Sequence, residues 1–254
     1  MSFYSLPAKR YAFLGHRLAL SAVLLALFLG LLRLAWYPDL YFQLGGVGKQ
    51  VAVLVAVVLV IGSGLSTLVF KPGKRGLHKD LAIILVVELA AFAWFGYQLF
   101  ETRPRHLVFA IDRFQVVEAA RVADFPYRFE ELAAPQLVGP RLVVAGFPDD
   151  QAERAALKKA IFFEGAPDID VRPDQWYPYV DAHPAVLSAA RPLAELRERG
   201  TEYAESVDRW LERHSGEAGD YMFLPVAGSK GDATAILSAS QGTLLDMIDL
   251  DPWE

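Results

Sequence analysis

The sequence predicts an α+β protein in two parts: a three-helix transmembrane module, then an extracytoplasmic domain with an antiparallel sheet and helices. Three observations carry this expectation. The first hundred of the 254 residues contain three long apolar runs, each about the ~20 residues needed to cross a bilayer core. After Glu101-Thr-Arg-Pro-Arg the pattern switches to His106-Leu-Val-Phe-Ala-Ile-Asp, which is strand-like. The carboxyl end holds three further strand-length runs punctuated by Gly228-Ser-Lys-Gly-Asp and Gln241-Gly242, the pattern of an antiparallel meander. Residues 1–104 are therefore read as the membrane module, and residues 105–254 as a domain large enough to bury its own core.

Composition narrows the chemistry. The net charge of −5 sums a basic first part and an acidic remainder. No basic stripe with interleaved aromatics occurs, so nucleic acid is not an expected partner. Cysteine is absent, which excludes disulfides and thiolate metal sites. The five histidines are scattered without metal-ligand spacing, and no G-x-S-x-G, P-loop or dinucleotide fingerprint is present. No cofactor, metal or small-molecule substrate is expected. Gly228-Ser-Lys-Gly-Asp has turn chemistry, not that of a converging serine-lysine pair.

In chain order, Lys9, Arg10, His16 and Arg17 gather before the first apolar run, which gives a spanning helix over about 18–37 with Trp36, Tyr37 and Tyr41 as an aromatic belt. No small-x-small cleavage site precedes Pro38, so the helix is read as uncleaved. Pro38 to Lys49 is a tight connection. The second helix, about 50–70, places Gly62 with Ser66, and Ser63 with Thr67, on shared faces. That small-residue spacing admits the close approach of another helix, with packing inside the bundle favoured over an external helix. The basic loop Lys71 to Lys79 and the basic amino terminus are assigned to the cytoplasm by the positive-inside rule. The third helix, about 81–100, then delivers the rest of the chain to the opposite side.

Two ionisable groups fall in these helices. Arg33, near the outer end of the first, can snorkel. Glu88 lies roughly 10 Å beyond the start of the third, too deep to reach water comfortably. It is either protonated and hydrogen-bonded within the bundle, or awaiting a partner.

Beyond the membrane module, His106 to Asp112, Arg113 to Arg121 and Arg141 to Phe147 read as strands, with Asp112-Arg113 as a buried charged hinge between the first two. Asp149-Asp150 can cap a helix over Gln151 to Phe163 that Gly165-Ala-Pro ends. Asp168 to His183 is loop-like, an acidic stretch holding Trp176 and Tyr177. Its aspartates lack the glycine and terminal glutamate of a calcium loop. Pro184 to Arg199 and Thr201 to His214 are helices, Thr201 being the cap of the second. The helices are expected on one face of the sheet.

The chain resembles the TfpX/TfpZ family of type IV pilin accessory proteins. The resemblance runs over nearly the whole length: Tyr11-Ala-Phe-Leu-Gly-His-Arg-Leu before the three spans, Leu107-Val-Phe-Ala-Ile-Asp-Arg-Phe-Gln-Val-Val, Gly139-Pro-Arg-Leu-Val, Asp170-Val-Arg-Pro with Trp176-Tyr-Pro-Tyr, Arg191-Pro-Leu-Ala-Glu-Leu, and Lys230-Gly-Asp-Ala-Thr-Ala-Ile-Leu. It implies a multi-pass protein of the bacterial inner membrane, amino terminus cytoplasmic and carboxyl-terminal domain periplasmic, that assists assembly or display of a type IV pilin by binding pilin or the pilus machinery. The competing reading is a membrane-bound enzyme that modifies pilin in the periplasm. No active site transfers with the resemblance. The candidates for partner contact are Glu88 with the flanking Gly62, Ser63 and Ser66 in the membrane, where the carboxylate would meet the amine of a pilin helix, and Trp176 and Tyr177 in the exported domain. Lipid is the other expected partner.

Overall fold

The computed structural model describes residues 5–71, 74–134, 136–181 and 183–253, with the side chains of residues 5–10 and of Asp181 outside that description. The charged side chains of Lys9 and Arg10, and Pro72 and Gly73 of the basic loop, thus lie outside the described residues.

The chain forms two compact units, residues 1–35 with 47–101 and residues 36–46 with 102–254. The first is helical. Helix α1 (Ser5–Leu31) passes into a π-helical turn over Leu32–Trp36. The short α2 (Tyr41–Leu44) follows, in the segment that belongs to the second unit. Helix α3 (Gly48–Val57) widens into π geometry over Val58–Leu65 and resumes as α4 (Ser66–Val69), and α5 (Leu77–Glu101) completes the set. Three stretches are long and apolar enough to cross a membrane, Tyr11–Trp36, Gly48–Val69 and Leu77–Glu101. Leu25, Leu54 and Val58 form their common core, with Phe28, Phe92 and Phe95 packed around it.

The second unit is built on one sheet, ordered β4-β3-β1-β2-β6-β7-β8, with β5 beside β6. Its strands are β1 (Pro104–Ala110), β2 (Arg113–Glu118), β3 (Arg141–Ala145), β4 (Trp176–Pro178), β5 (Arg191–Pro192), β6 (Tyr221–Ala227), β7 (Asp232–Ser238) and β8 (Leu244–Ile248). The helices between them are α6 (Glu130–Ala133), α7 (Gln151–Glu164), α8 (His183–Ala189), α9 (Leu193–Arg197) and α10 (Thr201–Leu211). The α+β class and the β6-β7-β8 meander agree with the sequence. The sheet itself is mixed: β1 runs parallel to β3, and β2 parallel to β6. The β2–β6 pairing covers only Phe114↔Val226 and Gln115↔Ala227, and β5 takes part of the rest of that edge through Arg191↔Phe223 and Pro192↔Met222.

Helices cover both faces, not one. Leu107, Phe109, Phe114, Val116, Leu224 and Val226 point to a core closed by Tyr41, Leu44 and Val186 from α2 and α8. On the other face Val108, Val117, Val143 and Trp176 pack with Leu157 and Ile161 of α7, while Phe223 and Ile236 pack with α9 and α10 through Leu196, Val207 and Trp210. Strands buried on both faces lose the polar-out alternation of an open sheet.

Several local expectations change. The stretch 184–199 is not one helix, because Ala190 to Pro192 breaks it to supply β5. Trp176–Pro178, expected in a loop, is the edge strand β4. Asp150, not Asp149, accepts from the Glu153 N–H to cap α7, and Gly165 ends that helix in the left-handed region at φ 73°. Thr201 does not cap α10; Gly200 occupies that position without a side-chain bond.

Candidate functional site

The chemistry of the helical unit is gathered in one buried cluster drawn from three helices. Arg17 and Ser21 stand one turn apart on α1, so they share a face. The Arg17 guanidinium meets the Glu88 carboxylate of α5 at 2.6 Å, and Ser21 Oγ donates to the other carboxylate oxygen at 3.1 Å. Ser63 Oγ donates to Ser21 Oγ at 3.3 Å. Glu88 and Ser63 are each 1% exposed and Ser21 is fully buried.

The middle span supplies a socket for this pair. Inside its π-helical stretch, the Gly62 carbonyl accepts from Arg17 Nε at 3.2 Å and Nη2 at 2.9 Å. Wide turns of this kind leave carbonyls accessible to side chains and recur at functional sites. Gly62 also leaves room for the carboxylate: a Cβ there would stand 2.3 Å from Glu88 Oε1 and would push that side chain off its partners. The small residues therefore make room for a charged pair within the chain's own bundle.

That arrangement answers where Glu88 finds a partner. Arg17, assigned by sequence to the flanking basic cluster, lies inside the first spanning helix and neutralises it. Gly62, Ser63 and Ser66 are buried with it, on a face occupied by this chain's own α1 and α5. A visiting amine would have to displace Arg17. Chemically the cluster is a closed ion pair with hydrogen-bonded support, suited to locking three helices in register. The sequence signal for this partner is the Arg17/Ser21 spacing, one helical turn on a face that also carries Leu25.

In the second unit the expected sites behave differently. Trp176 is fully buried, its indole N–H donating to the Ile169 carbonyl at 3.0 Å, so it is a core residue. Tyr177 is half-buried beneath the Arg128 guanidinium, 4.5 Å from its ring. Asp112 and Arg113 do pair, at 2.8 and 3.1 Å, but with 55% and 42% of their side chains exposed, so the expected buried hinge is a surface pair. It sits on a tight turn: the Asp112 N–H bonds the Ala110 carbonyl at 2.8 Å, and the intervening Ile111 has φ 63°, the strained three-residue geometry. The guanidinium holds the Asp112 carboxyl below its usual range and stacks 4.6 Å from Trp253. An open cavity of about 410 Å³ lies beside this turn, lined also by Gln115, Asp168 and Asp170.

The acidic loop is used locally. Asp168 accepts from the Ile169 N–H and Asp174 pairs with Arg172 at 2.7 Å, whereas burial pushes the Asp170 carboxyl up. Asp181's side chain lies outside the described residues. Among the described residues no three metal-ligating side chains come together. His106, one of the five scattered histidines, is 1% exposed with its ring centroid 4.5 Å from that of Trp176. Burial, with Arg105 and Arg141 adding repulsion, drives its pKa down to about 3.

Fold and cluster together define a protein with three helices long and apolar enough to cross a membrane, tied by a largely buried charged pair, and an α+β domain. Among known proteins it is similar to two fimbrial assembly proteins of Dichelobacter nodosus, those of serogroups I and E1. Each is 23% identical over 246 residues, covering 94% of this chain and 95% of the relative. A third, the fimbrial assembly protein of serogroups C1 and C2 of the same organism, is 28% identical over 105 residues, 41% of this chain and 80% of its own. No family model matches the chain, and no solved structure matches it.

Proposed function

We propose that this protein is an accessory component of type IV fimbria assembly, held in the bacterial inner membrane with its α+β unit in the periplasm, that acts by binding a pilin or the assembly machinery. The supporting observation is the colinear likeness to fimbrial assembly proteins over 94% of this chain and 95% of theirs, which takes in the spanning helices and the sheet domain alike. The orientation rests on charge: the amino terminus and the loop after the second span are basic, and the first connection carries little charge. Glu88, Gly62, Ser63 and Ser66 enter this reading as the framework of the bundle, and Trp176 as core. Of the six candidate contact residues, Tyr177 is the one with exposed area to offer a partner.

The test is deletion of the gene in its host, with surface fimbriae counted by electron microscopy and pilin weighed intact. Binding without chemistry predicts fewer fimbriae and pilin of unchanged mass. A mass difference between the two strains would replace this reading with that of a pilin-modifying enzyme. Fimbriae in normal number made of pilin of unchanged mass would remove both.

A further inference from the structure

The loop that leads into β3 leaves two aliphatic side chains uncovered. Leu137 is 84% exposed and Val138 57%. Side chains on the outside of the spanning helices, such as Leu34 at 76% and Leu68 at 71%, are no more exposed than Leu137. Isolated exposed leucines are ordinary, so the position of this pair decides its meaning.

That position is fixed by contacts within the second unit. Gly139, at φ 63°, lies against Pro38: a Cβ there would be in ordinary contact with the proline ring at 3.4 Å. Pro38 follows Trp36, the last residue of the first spanning stretch, by two residues. Tyr37 Oη is hydrogen-bonded to Thr102 Oγ1 at 3.0 Å, and Thr102 directly follows Glu101, where the third stretch ends. Arg141 lies in parallel register with His106, two residues into the strand that opens at Pro104. The chain itself thus tethers this end of the domain within a few residues of two helix exits, and there the loop presents Leu137 and Val138. Arg103, Arg105 and Arg141 belong to the same end. Apolar side chains and arginines at the same end of a domain suit the boundary between acyl chains and phosphate headgroups.

We propose that the 136–139 loop is a lipid anchor: Leu137 and Val138 seat in the leaflet from which the helices emerge, with the three arginines at phosphate level. The proposal rests on the three helices crossing a bilayer. It accounts for two uncovered aliphatics close to the residues that leave the first and third helices, and it restrains the domain against the bilayer surface by more than its covalent connections.

The absence of cysteine makes the test direct. Single variants Leu137→Cys, Val60→Cys and Glu212→Cys of the full chain are spin-labelled and reconstituted in vesicles of phosphatidylethanolamine and phosphatidylglycerol. Collision with oxygen, which partitions into lipid, is compared with collision with a water-soluble nickel chelate. Position 137 is expected to favour oxygen, as position 60 does in the second span, while position 212 favours nickel. A label at 137 that behaves like 212 overturns the anchor. So does one shielded from both reagents, which would mark a protein contact. If position 60 also behaves as aqueous, the spanning reading fails and the anchor with it, an outcome distinct from failure at 137 alone.

Discussion

At the scale of single residues, Arg17 and Glu88 form an ion pair at 2.6 Å with the carboxylate buried. Removing one member of a buried pair leaves an uncompensated charge, a loss of about 3–5 kcal/mol. Arg17→Ala is therefore expected to lower the thermal unfolding midpoint of the detergent-solubilised protein severely, whereas Arg17→Met with Glu88→Leu recovers much of the loss because no charge is stranded. A double-mutant cycle followed by circular dichroism measures the coupling. Gly62→Ala should act like a partial loss of the pair, since its Cβ would displace the carboxylate. His106 gives the pH counterpart. Its folded pKa of about 3 lies below the ordinary imidazole value of 6.5, so between these values the unfolded chain binds a proton that the folded one refuses. Its contribution is fully present above pH 6.5 and is lost as pH falls through that window toward 3. His106→Leu should flatten the fall in melting temperature between pH 6.5 and 4.5. An unchanged slope would assign the acid sensitivity to other groups.

At the scale of elements, α2 shows how a connection between two spans becomes part of a core. Its Tyr41 and Leu44 are spaced i, i+3 and pack against Phe109, Phe114 and Val226 on one face of the sheet. Burial of two such side chains contributes about 1.5–3 kcal/mol each. The β6–β7 turn secures the helix: the Lys230 N–H donates to the Leu44 carbonyl at 2.9 Å, and Gly228 leaves so little room that a Cβ would stand 2.7 Å from that carbonyl oxygen. Gly228→Ala should cost about 1–3 kcal/mol by overpacking. Limited proteolysis of the purified protein should then cut first within residues 36–46. If the 36–46 segment stays resistant, α2 is held by its apolar contacts alone.

At the scale of the whole molecule, one sheet-centred unit contains both the first connection and everything after the third span. If the helices cross a bilayer, residues 36–46 and 102–254 must share one side of it, and the connection after the second span must lie on the other. Gln43→Cys and Glu212→Cys should both be labelled by an impermeant maleimide added to intact spheroplasts, and Arg75→Cys only after permeabilisation. Labelling of Gln43→Cys and Glu212→Cys from opposite sides is incompatible with the packing of α2.

The sequence by itself determined the three spans, the class of the domain, most strands and the hairpin meander, because these are encoded by local period and by turn residues that act within a few positions. It also singled out Glu88, since a carboxylate in an apolar run is conspicuous without any structure. The identity of its partner was decided only in three dimensions: Arg17 is 71 residues away, and nothing in a linear pattern separates a flanking arginine from one folded inward. The same holds for Trp176, whose acidic surroundings suggested a surface until β4 paired with β3 and buried it. The parallel pairings and the capture of residues 36–46 by the sheet are likewise tertiary, because register between distant strands depends on which apolar faces meet, and a sequence states only that the faces exist.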